Sequence, residues 1–135
     1  MRVRSVLVAS VVVTALAIAW STQAAPQASE IKRAVLQKHD LKVPGHEGVM
    51  VSVEIPPGAR EGRHTHPAAD LFVYVVEGTI NVEVDGKPAG TYKAGDTFFT
   101  PAGKVHEGIN TSNAPVKLIG VFATEKGKPL TAPAK

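Results

Sequence analysis

Residues 95–110 read GDTFFTPAGKVHEGIN. This stretch contains short runs of strand-forming residues separated by Gly and Pro, and it contains His106. A second stretch rich in turn residues, GAREGRHTHPAAD, covers residues 58–70 and contains His64 and His66. Three of the five histidines therefore lie in two short segments, and this clustering predicts a shared site.

The spacing of these polar residues predicts a metal site. On an extended backbone His64 and His66 project from the same side, and Asp70 has the same parity. A strand from the second segment would add His106. Three neutral imidazoles and one carboxylate suit one divalent transition metal (Fe, Mn, Ni, Cu, Co or Zn), with positions left for water or substrate. A pair of solvated loop histidines is the alternative for His64 and His66 taken alone.

The two segments together resemble the cupin superfamily. Its second motif is Gly, five residues, Pro-x-Gly, two residues, His, three residues, Asn, and it is matched at every fixed position by Gly95, Pro101, Gly103, His106 and Asn110. Its first motif, Gly, five residues, His-x-His, three or four residues, Glu, six residues, Gly, is matched by Gly58, His64, His66 and Gly78. The resemblance covers about residues 48–122, and it implies a small double-sheet jelly-roll barrel.

The first motif departs from the family at the Glu position. On a three-residue spacing that position is Asp70, and on a four-residue spacing it is Leu71. We expect Asp70 to be the fourth ligand, because a polar residue of matching parity follows the histidine pair. The strand would then absorb one extra residue before Gly78, most simply as a β-bulge. If Leu71 takes the position instead, the site has three histidines and no carboxylate.

The remaining sequence predicts an all-β chain. Residues 49–55 and 80–84 alternate apolar and polar side chains, as half-buried strands do, and Asp85-Gly86 is a hairpin signal. Turn residues recur every eight to ten positions after Gly78, which is typical of an antiparallel sandwich or barrel. The runs 71–76 and 116–122 are largely apolar on both faces, so we expect central strands that are covered on both sides, in part by self-association.

The length of the chain limits it to one domain, and its composition limits the chemistry available to it. The chain has 135 residues, 44% of them hydrophobic, and no Cys, so any catalytic chemistry must come from His, carboxylates or a metal. We expect a linker over 25–30, the barrel over 31–123 and a flexible C-terminal tail over 124–135. The chain lacks a basic stripe interleaved with aromatic residues, so nucleic acid is not an expected partner.

The N-terminus has the features of a secretory signal peptide over residues 1–24. Arg2 and Arg4 precede an apolar run of 15 residues from Val6 to Trp20, and small residues follow, so cleavage is expected after Ala24 or Ala25. Cleavage lowers the formal charge from +3 to +1, leaves no stable membrane insertion and places the protein in the periplasm or outside the cell. An uncleaved membrane anchor is the alternative.

Other residues have weaker signals. We expect His39 and His46 on the surface, Glu107 facing away from the metal, and Asn110 shaping a turn. Four aromatic residues are expected mainly in the core, with a ligand pocket as the alternative: Phe72, Tyr74, Phe98 and Phe99. The segment with Arg60, Glu61 and Arg63 is expected to be a solvated loop, although Arg there could bind an acidic substrate and Glu could act as an acid or base.

These features support two kinds of function. The first is an exported mononuclear metal enzyme that acts on a small oxygen-rich organic molecule by oxygenase-type chemistry. The alternative is a barrel that binds a metal or small ligand without catalysis. The resemblance implies a homodimer, and an interaction with another exported protein through an exposed apolar patch is a further possibility.

Overall fold

The computed structural model describes residues 30–134, and the regular structure there is entirely β. Ten strands follow one another along this part of the chain: β1 (Lys32–Asp40), β2 (His46–Ile55), β3 (His64–Thr65), β4 (Ala69–Glu77), β5 (Thr79–Val84), β6 (Gly90–Lys93), β7 (Thr97–Thr100), β8 (His106–Ile109), β9 (Val116–Glu125) and β10 (Ala132–Pro133). Within residues 30–134 no helix is long and apolar enough to cross a membrane.

The strands form two five-stranded antiparallel sheets. The first sheet has the order β1-β2-β9-β4-β7, and the second has the order β10-β3-β8-β5-β6. Strands that are adjacent in the sheets are mostly distant in sequence, as in β2 with β9 and β4 with β9. This arrangement confirms the predicted all-β, double-sheet barrel.

The core lies between the two sheets and follows the predicted alternation. On β2, Val49 and Ile55 are buried, and Val51 and Val53 pack against the core. On β5, Ile80 and Val82 are buried while Val84 packs beside them. The inner faces of β4 and β9 add Leu71, Val73, Val75, Val116, Leu118 and Phe122. The period-two pattern thus sends one side chain in two inward from each long strand.

Gly78 makes the turn between β4 and β5 possible. Its φ is +82°, a backbone conformation that residues with a Cβ atom rarely adopt. A Cβ at this position would lie 2.6 Å from the carbonyl oxygen of Pro115. The need for a glycine here therefore has two physical causes, a left-handed backbone and the close approach of the connection that contains Pro115.

The outer face of the first sheet carries an uncovered apolar band. Cross-strand pairing places Met50, Val121, Phe72 and Phe99 in one row, and the rings of Phe72 and Phe99 are 4.9 Å apart. Phe72 is 55% exposed, and Tyr74, Val76 and Phe99 are also exposed. The expectation of cover on both faces of β4 is therefore not met within a single chain, and three of the four aromatic residues expected in the core lie outside it.

The C-terminal residues differ from the expected flexible tail. Strand β9 continues to Glu125, and β10 pairs with β3, placing Ala132 opposite Thr65 and Pro133 opposite His64. Leu130 packs against the core. The predicted signal peptide and almost all of the predicted linker lie outside the described residues.

Candidate metal centre

Three histidines lie together at β3 and β8 of the second sheet. His64 on β3 pairs with His106 on β8 in the second sheet, and His66 follows directly after β3. One ligand nitrogen from each ring lies within 4.8 Å of the others. His66 and His106 are buried, and His64 is half-buried. The two segments singled out by sequence therefore bring their histidines to one point, as predicted.

Backbone carbonyls fix the orientation of all three rings. The Nδ1 atoms lie 2.7 Å from the Gly62 carbonyl for His64, 2.6 Å from the Leu130 carbonyl for His66 and 3.0 Å from the Lys104 carbonyl for His106. A carbonyl oxygen can only accept, so Nδ1 carries the proton and Nε2 carries the lone pair. This is the arrangement that metal-binding histidines adopt.

The Nε2 atom of His66 provides a direct test of whether a metal fits. This atom is buried and has no hydrogen-bond partner among the described residues. A buried nitrogen lone pair without a partner is costly unless another group binds it. A divalent transition metal bound by Nε2 of all three histidines would satisfy that nitrogen, so the residues present fit a metal ion.

Burial keeps two of the three rings neutral. Desolvation lowers the pKa of His66 to about 4, more than the hydrogen bond to Leu130 raises it, and the neighbouring histidines lower it further. Desolvation likewise lowers the pKa of His106, with the Lys104 carbonyl opposing and His64 adding to the effect. Because a metal binds the neutral imidazole, protons compete weakly for these two ligands.

The structure does not bring Asp70 to the three histidines. Asp70 is exposed on the outer face of β4, where its Oδ1 accepts a hydrogen bond from the Ala102 backbone N–H at 2.9 Å. Leu71 is buried and lines the cavity beside the histidines. Asp70 does not share a face with His64 and His66, because a turn in which the Ala69 N–H is directed at the His66 carbonyl interrupts the strand. The irregularity in β4 lies later, between Val75 and Glu77, and leaves Leu71 inward.

A cavity of about 710 Å³ opens beside the histidine cluster. Most of its wall is apolar and comes from the inner faces of both sheets, including Val51, Val53, Leu71, Val73, Val82, Phe98, Leu118 and Phe122. The volume lies within the range of small-molecule sites, which is roughly 300–1,000 Å³. The ring of Phe122 packs edge-on against His66 with centroids 4.8 Å apart. The cluster is therefore reached from a cavity large enough for an organic ligand.

Comparison with known proteins agrees with this geometry. The family model described as the cupin domain matches residues 51–122, which is more than half of the chain. The chain belongs to the cupin family. In the curated set, this cupin is 32% identical over 92 residues to a germin-like protein (subfamily 2 member 1) of Arabidopsis thaliana, covering 63% of this chain and 42% of the relative. It thus spans less than half the length of that relative.

Solved structures show the same fold. A conserved protein with a double-stranded β-helix domain from Klebsiella pneumoniae superposes with a TM-score of 0.66 at 23% identity, covering 82% of this cupin and 90% of that chain. A recombinant oxalate oxidase in complex with glycolate superposes with a TM-score of 0.58 at 24% identity, covering 64% of this cupin and 45% of that chain. At these identities the likeness establishes the fold alone.

Two ion pairs lie at the cavity wall. The segment with Arg60, Glu61 and Arg63 is therefore not the fully solvated loop that the sequence predicts. Arg33 Nη2 on β1 donates to Glu61 Oε1 at 3.2 Å, and both side chains line the cavity. Arg63 also lines it and donates to both oxygens of Asp85 at 2.8 Å. Gly108 makes room for Glu61, because a Cβ at Gly108 would collide with Oε2 of that carboxylate. Glu61 and Arg63 belong to the segment that the sequence offers, as an alternative, for substrate binding or acid–base chemistry, whereas Arg33 on β1 has no such signal.

Glu107 lies outside the cavity wall, although it is buried. It accepts hydrogen bonds from Arg60 Nε at 3.0 Å, from Arg60 Nη2 at 2.6 Å and from the Gly62 N–H at 3.2 Å. The Arg60 hydrogen bond is the main reason that the pKa of Glu107 lies below its ordinary value. This pair fixes the loop before β3 to β8, and so it supports the segment that carries His64.

The remaining candidates lie where sequence placed them. His39 is exposed and His46 is half-exposed, and neither joins the cluster. Asn110 is fully buried, and its amide contacts the carbonyls of Ile55, Pro56 and Ala114 at 2.8–3.1 Å. Asn110 therefore closes the turn after β8 and is not part of the histidine cluster.

The residue that sequence reasoning missed most completely is Leu130. Its backbone carbonyl holds His66, its side chain packs on the core and it lines the cavity. The surrounding segment consists of Gly, Pro, Ala, Lys and Thr without periodicity, and a backbone carbonyl has no side-chain signature. The pairing of β10 with β3 brings this segment to His66, and this pairing is seen only in the structure.

Proposed function

We propose that this chain is an exported mononuclear metal-binding cupin that acts as an enzyme on a small oxygen-rich organic molecule. The observation that carries the proposal is the trio of carbonyl-oriented histidines at an accessible cavity, with one buried Nε2 that lacks a partner. Three protein ligands leave coordination positions for a substrate, which is the arrangement of catalytic rather than closed structural sites.

His64, His66 and His106 would hold the metal through their Nε2 atoms. A divalent transition metal bound there would act as a Lewis acid toward an oxygen donor, or would support oxygenase-type chemistry. The protein contributes fixed ligand orientation through the three carbonyls and a cavity wall that is mostly apolar. Arg33 and Arg63 line the wall, and their guanidinium groups, each paired with a carboxylate, could also donate to an anionic group of a substrate.

Elemental analysis of the purified protein tests the metal site. We expect about one equivalent of a single transition metal in the wild-type protein and its loss in a His64→Ala/His106→Ala double variant. The matched control is His39→Ala/His46→Ala, which removes two histidines outside the cluster. Equal metal content in the two double variants would contradict the assignment of the ligands.

Turnover by the metal-loaded protein tests the enzyme proposal. Oxygen consumption with organic acids and phenols is the first assay, followed by decarboxylase and isomerase assays. We expect turnover that disappears in the His64→Ala/His106→Ala variant. Stoichiometric metal without turnover in all of these assays would favour a non-catalytic metal or small-ligand binding barrel. Leu71 and Phe98 in the cavity wall, and the absence of a carboxylate from the cluster within residues 30–134, are the observations that favour that second candidate.

Export rests on the sequence of residues 1–24. We expect N-terminal sequencing of the protein isolated from the host periplasm or medium to begin at Ala25 or Pro26. An intact Met1 on membrane-associated protein would contradict cleavage and favour an anchor.

We further propose that the protein forms a homodimer through the outer face of the first sheet. The apolar row of Met50, Val121, Phe72 and Phe99 crosses four adjacent strands there. Exposed apolar patches of this kind mark association surfaces. A second copy would supply the cover that the apolar sequences of β4 and β9 predict.

A further inference from the structure

The position beside the histidines that would hold a carboxylate in the family motif holds Leu71. Leu71 is 7% exposed, and its side chain lines the cavity together with Val73, Leu118 and Phe122. No carboxylate among residues 30–134 lies close enough to join the three histidines. The centre is therefore a set of neutral nitrogen donors backed by an apolar wall.

This composition leaves the charge of a bound cation uncompensated. Three neutral imidazoles contribute no negative charge, so a divalent metal keeps its full formal charge. Glu61, the acidic side chain at the cavity wall, is already paired with Arg33. In an apolar cavity an uncompensated charge is costly, and an anionic oxygen donor from the ligand would offset that cost.

The cavity also selects for the rest of the ligand. Its volume of about 710 Å³ exceeds what a two- or three-carbon acid fills, and most of its wall carries no hydrogen-bonding group. A small polar acid would leave much of this apolar wall in contact with water. A ligand with an apolar body would cover that wall and gain the corresponding transfer free energy.

We infer that this cupin binds molecules that combine an apolar or aromatic body with an anionic bidentate oxygen donor, the donor at the three-histidine metal and the body against Leu71, Val73 and Phe98. The inference rests on the proposed metal site and narrows its substrate class. It predicts weak binding of small acids such as glycolate, the ligand in the oxalate oxidase complex.

Matched hydroxamates separate the two parts of this inference. Benzohydroxamate and acetohydroxamate carry the same anionic bidentate donor and differ only in a phenyl or methyl body, while benzamide keeps the phenyl body without that donor. We expect calorimetric titration of zinc-loaded protein, which undergoes no redox turnover, to give about tenfold or more tighter binding of benzohydroxamate than of acetohydroxamate. Benzamide should bind more weakly than benzohydroxamate by at least a similar factor.

A pair of variants at Leu71 tests the charge argument. Leu71→Glu adds a carboxylate at the cluster, and Leu71→Gln adds a neutral side chain of nearly the same size. We expect Leu71→Glu to weaken benzohydroxamate binding about tenfold or more relative to Leu71→Gln, because the new carboxylate offsets the metal charge and repels the anionic donor. Thermal unfolding of both variants checks that each is folded before it is titrated.

The outcomes distinguish this inference from the proposed function. If the wild-type protein binds no metal, both fail. If metal binds but acetohydroxamate and benzohydroxamate have equal affinity, the apolar wall is not used and this inference alone is wrong. Equal binding of benzohydroxamate by the Leu71→Glu and Leu71→Gln variants would refute the argument from uncompensated charge. Glycolate binding as tightly as benzohydroxamate would overturn the proposed substrate class.

Discussion

The C-terminal segment should determine how tightly the site binds metal. Ending the chain after Pro129 removes the Leu130 carbonyl, which lies 2.6 Å from His66 Nδ1, and removes β10 from the second sheet. His66 is 3% exposed with the segment in place, and truncation removes the carbonyl that pairs with its Nδ1–H. An unpaired buried donor costs about 1–3 kcal/mol, which corresponds to roughly a 5- to 150-fold change in an equilibrium constant.

The same magnitude follows from the behaviour of other metal sites. Removal of a group that orients a ligating histidine lowers metal affinity by roughly 10- to 100-fold. We therefore expect the chain ending at Pro129 to bind zinc about 10- to 100-fold more weakly than the full chain. Competition with a chromophoric chelator at pH 7.5 measures this ratio directly.

Two control variants separate the carbonyl from the packing of the segment. A chain ending at Pro133 keeps the Leu130 carbonyl and both β10 residues, and among the described residues it gives up the hydrogen bond from the Ala134 N–H to the Arg63 carbonyl. Leu130→Ala keeps the carbonyl and removes most of the side chain that packs on the core. We expect both to retain zinc affinity within about threefold, although Leu130→Ala should be less stable by about 1–2 kcal/mol.

Either of two results would contradict a role for the Leu130 carbonyl in metal binding. One is unchanged zinc affinity in the chain that ends at Pro129, provided that its thermal transition is cooperative. The other is an equal loss of affinity in Leu130→Ala, which would attribute the effect to packing rather than to the hydrogen bond.

Three further predictions concern the turn at Gly78, pH and association. Gly78→Ala should lower the free energy of unfolding in urea by at least about 2 kcal/mol, because it adds a steric collision to an unfavourable φ. Gly86 has a similar φ of +80° and open space around it, so Gly86→Ala should lower the free energy of unfolding by only about 1 kcal/mol. Equal costs would contradict the collision. The metal-free protein should lose stability as pH falls from about 6.5 to about 4, by at most about 3 kcal/mol for His66. The pKa of His66 is about 4 in the folded chain and higher in the unfolded chain, so the unfolded chain binds the proton more tightly. A urea midpoint that is flat over this range would contradict the burial argument. Light scattering should show that Phe72→Asp converts a dimer into monomers, whereas Leu41→Asp, another exposed apolar position, leaves the dimer intact; a wild-type monomer would refute the dimer.

The histidine cluster could be predicted because its signals are local. His64 and His106 lie at the starts of strands that pair directly, and fixed glycines and a proline set the lengths of the turns before them. Strand alternation then determines which face each side chain occupies. The same rule located the buried positions of β2 and β5, whereas the runs in β4 and β9 are apolar on both faces and do not indicate which face is buried.

Asp70 shows where alternation stops being reliable. Parity can be counted only along a continuous strand, and β3 ends at Thr65 before β4 begins at Ala69. The intervening turn resets the phase, so Leu71 faces the cavity and Asp70 faces outward. A four-residue spacing in the family motif gave the placement that the structure has, whereas counting residues from His66 did not.

The exposed aromatic residues show a different limit. Phe72, Tyr74 and Phe99 occupy strand positions that favour large side chains, but strand propensity does not specify which sheet face is covered. Their alternation with Leu71 and Val73 makes β4 apolar on both faces. The sequence therefore predicts that both faces of β4 are covered, whereas a single chain covers only one of them.

The three histidines also differ in the origin of the carbonyl that orients each ring. This difference couples metal binding to the pairing of the C-terminal segment with β3. The carbonyls that orient His64 and His106 lie two residues earlier in the chain, whereas the carbonyl for His66 comes from Leu130. If pairing of β10 with β3 strengthens metal binding, metal binding must strengthen that pairing by the same factor. We expect zinc to slow amide exchange of Ala134, whose N–H bonds to Arg63, by about 10- to 100-fold where that amide exchanges through detachment of the segment. Unchanged exchange alongside a truncation that weakens metal binding would break the thermodynamic cycle and would show that truncation acts on the rest of the barrel.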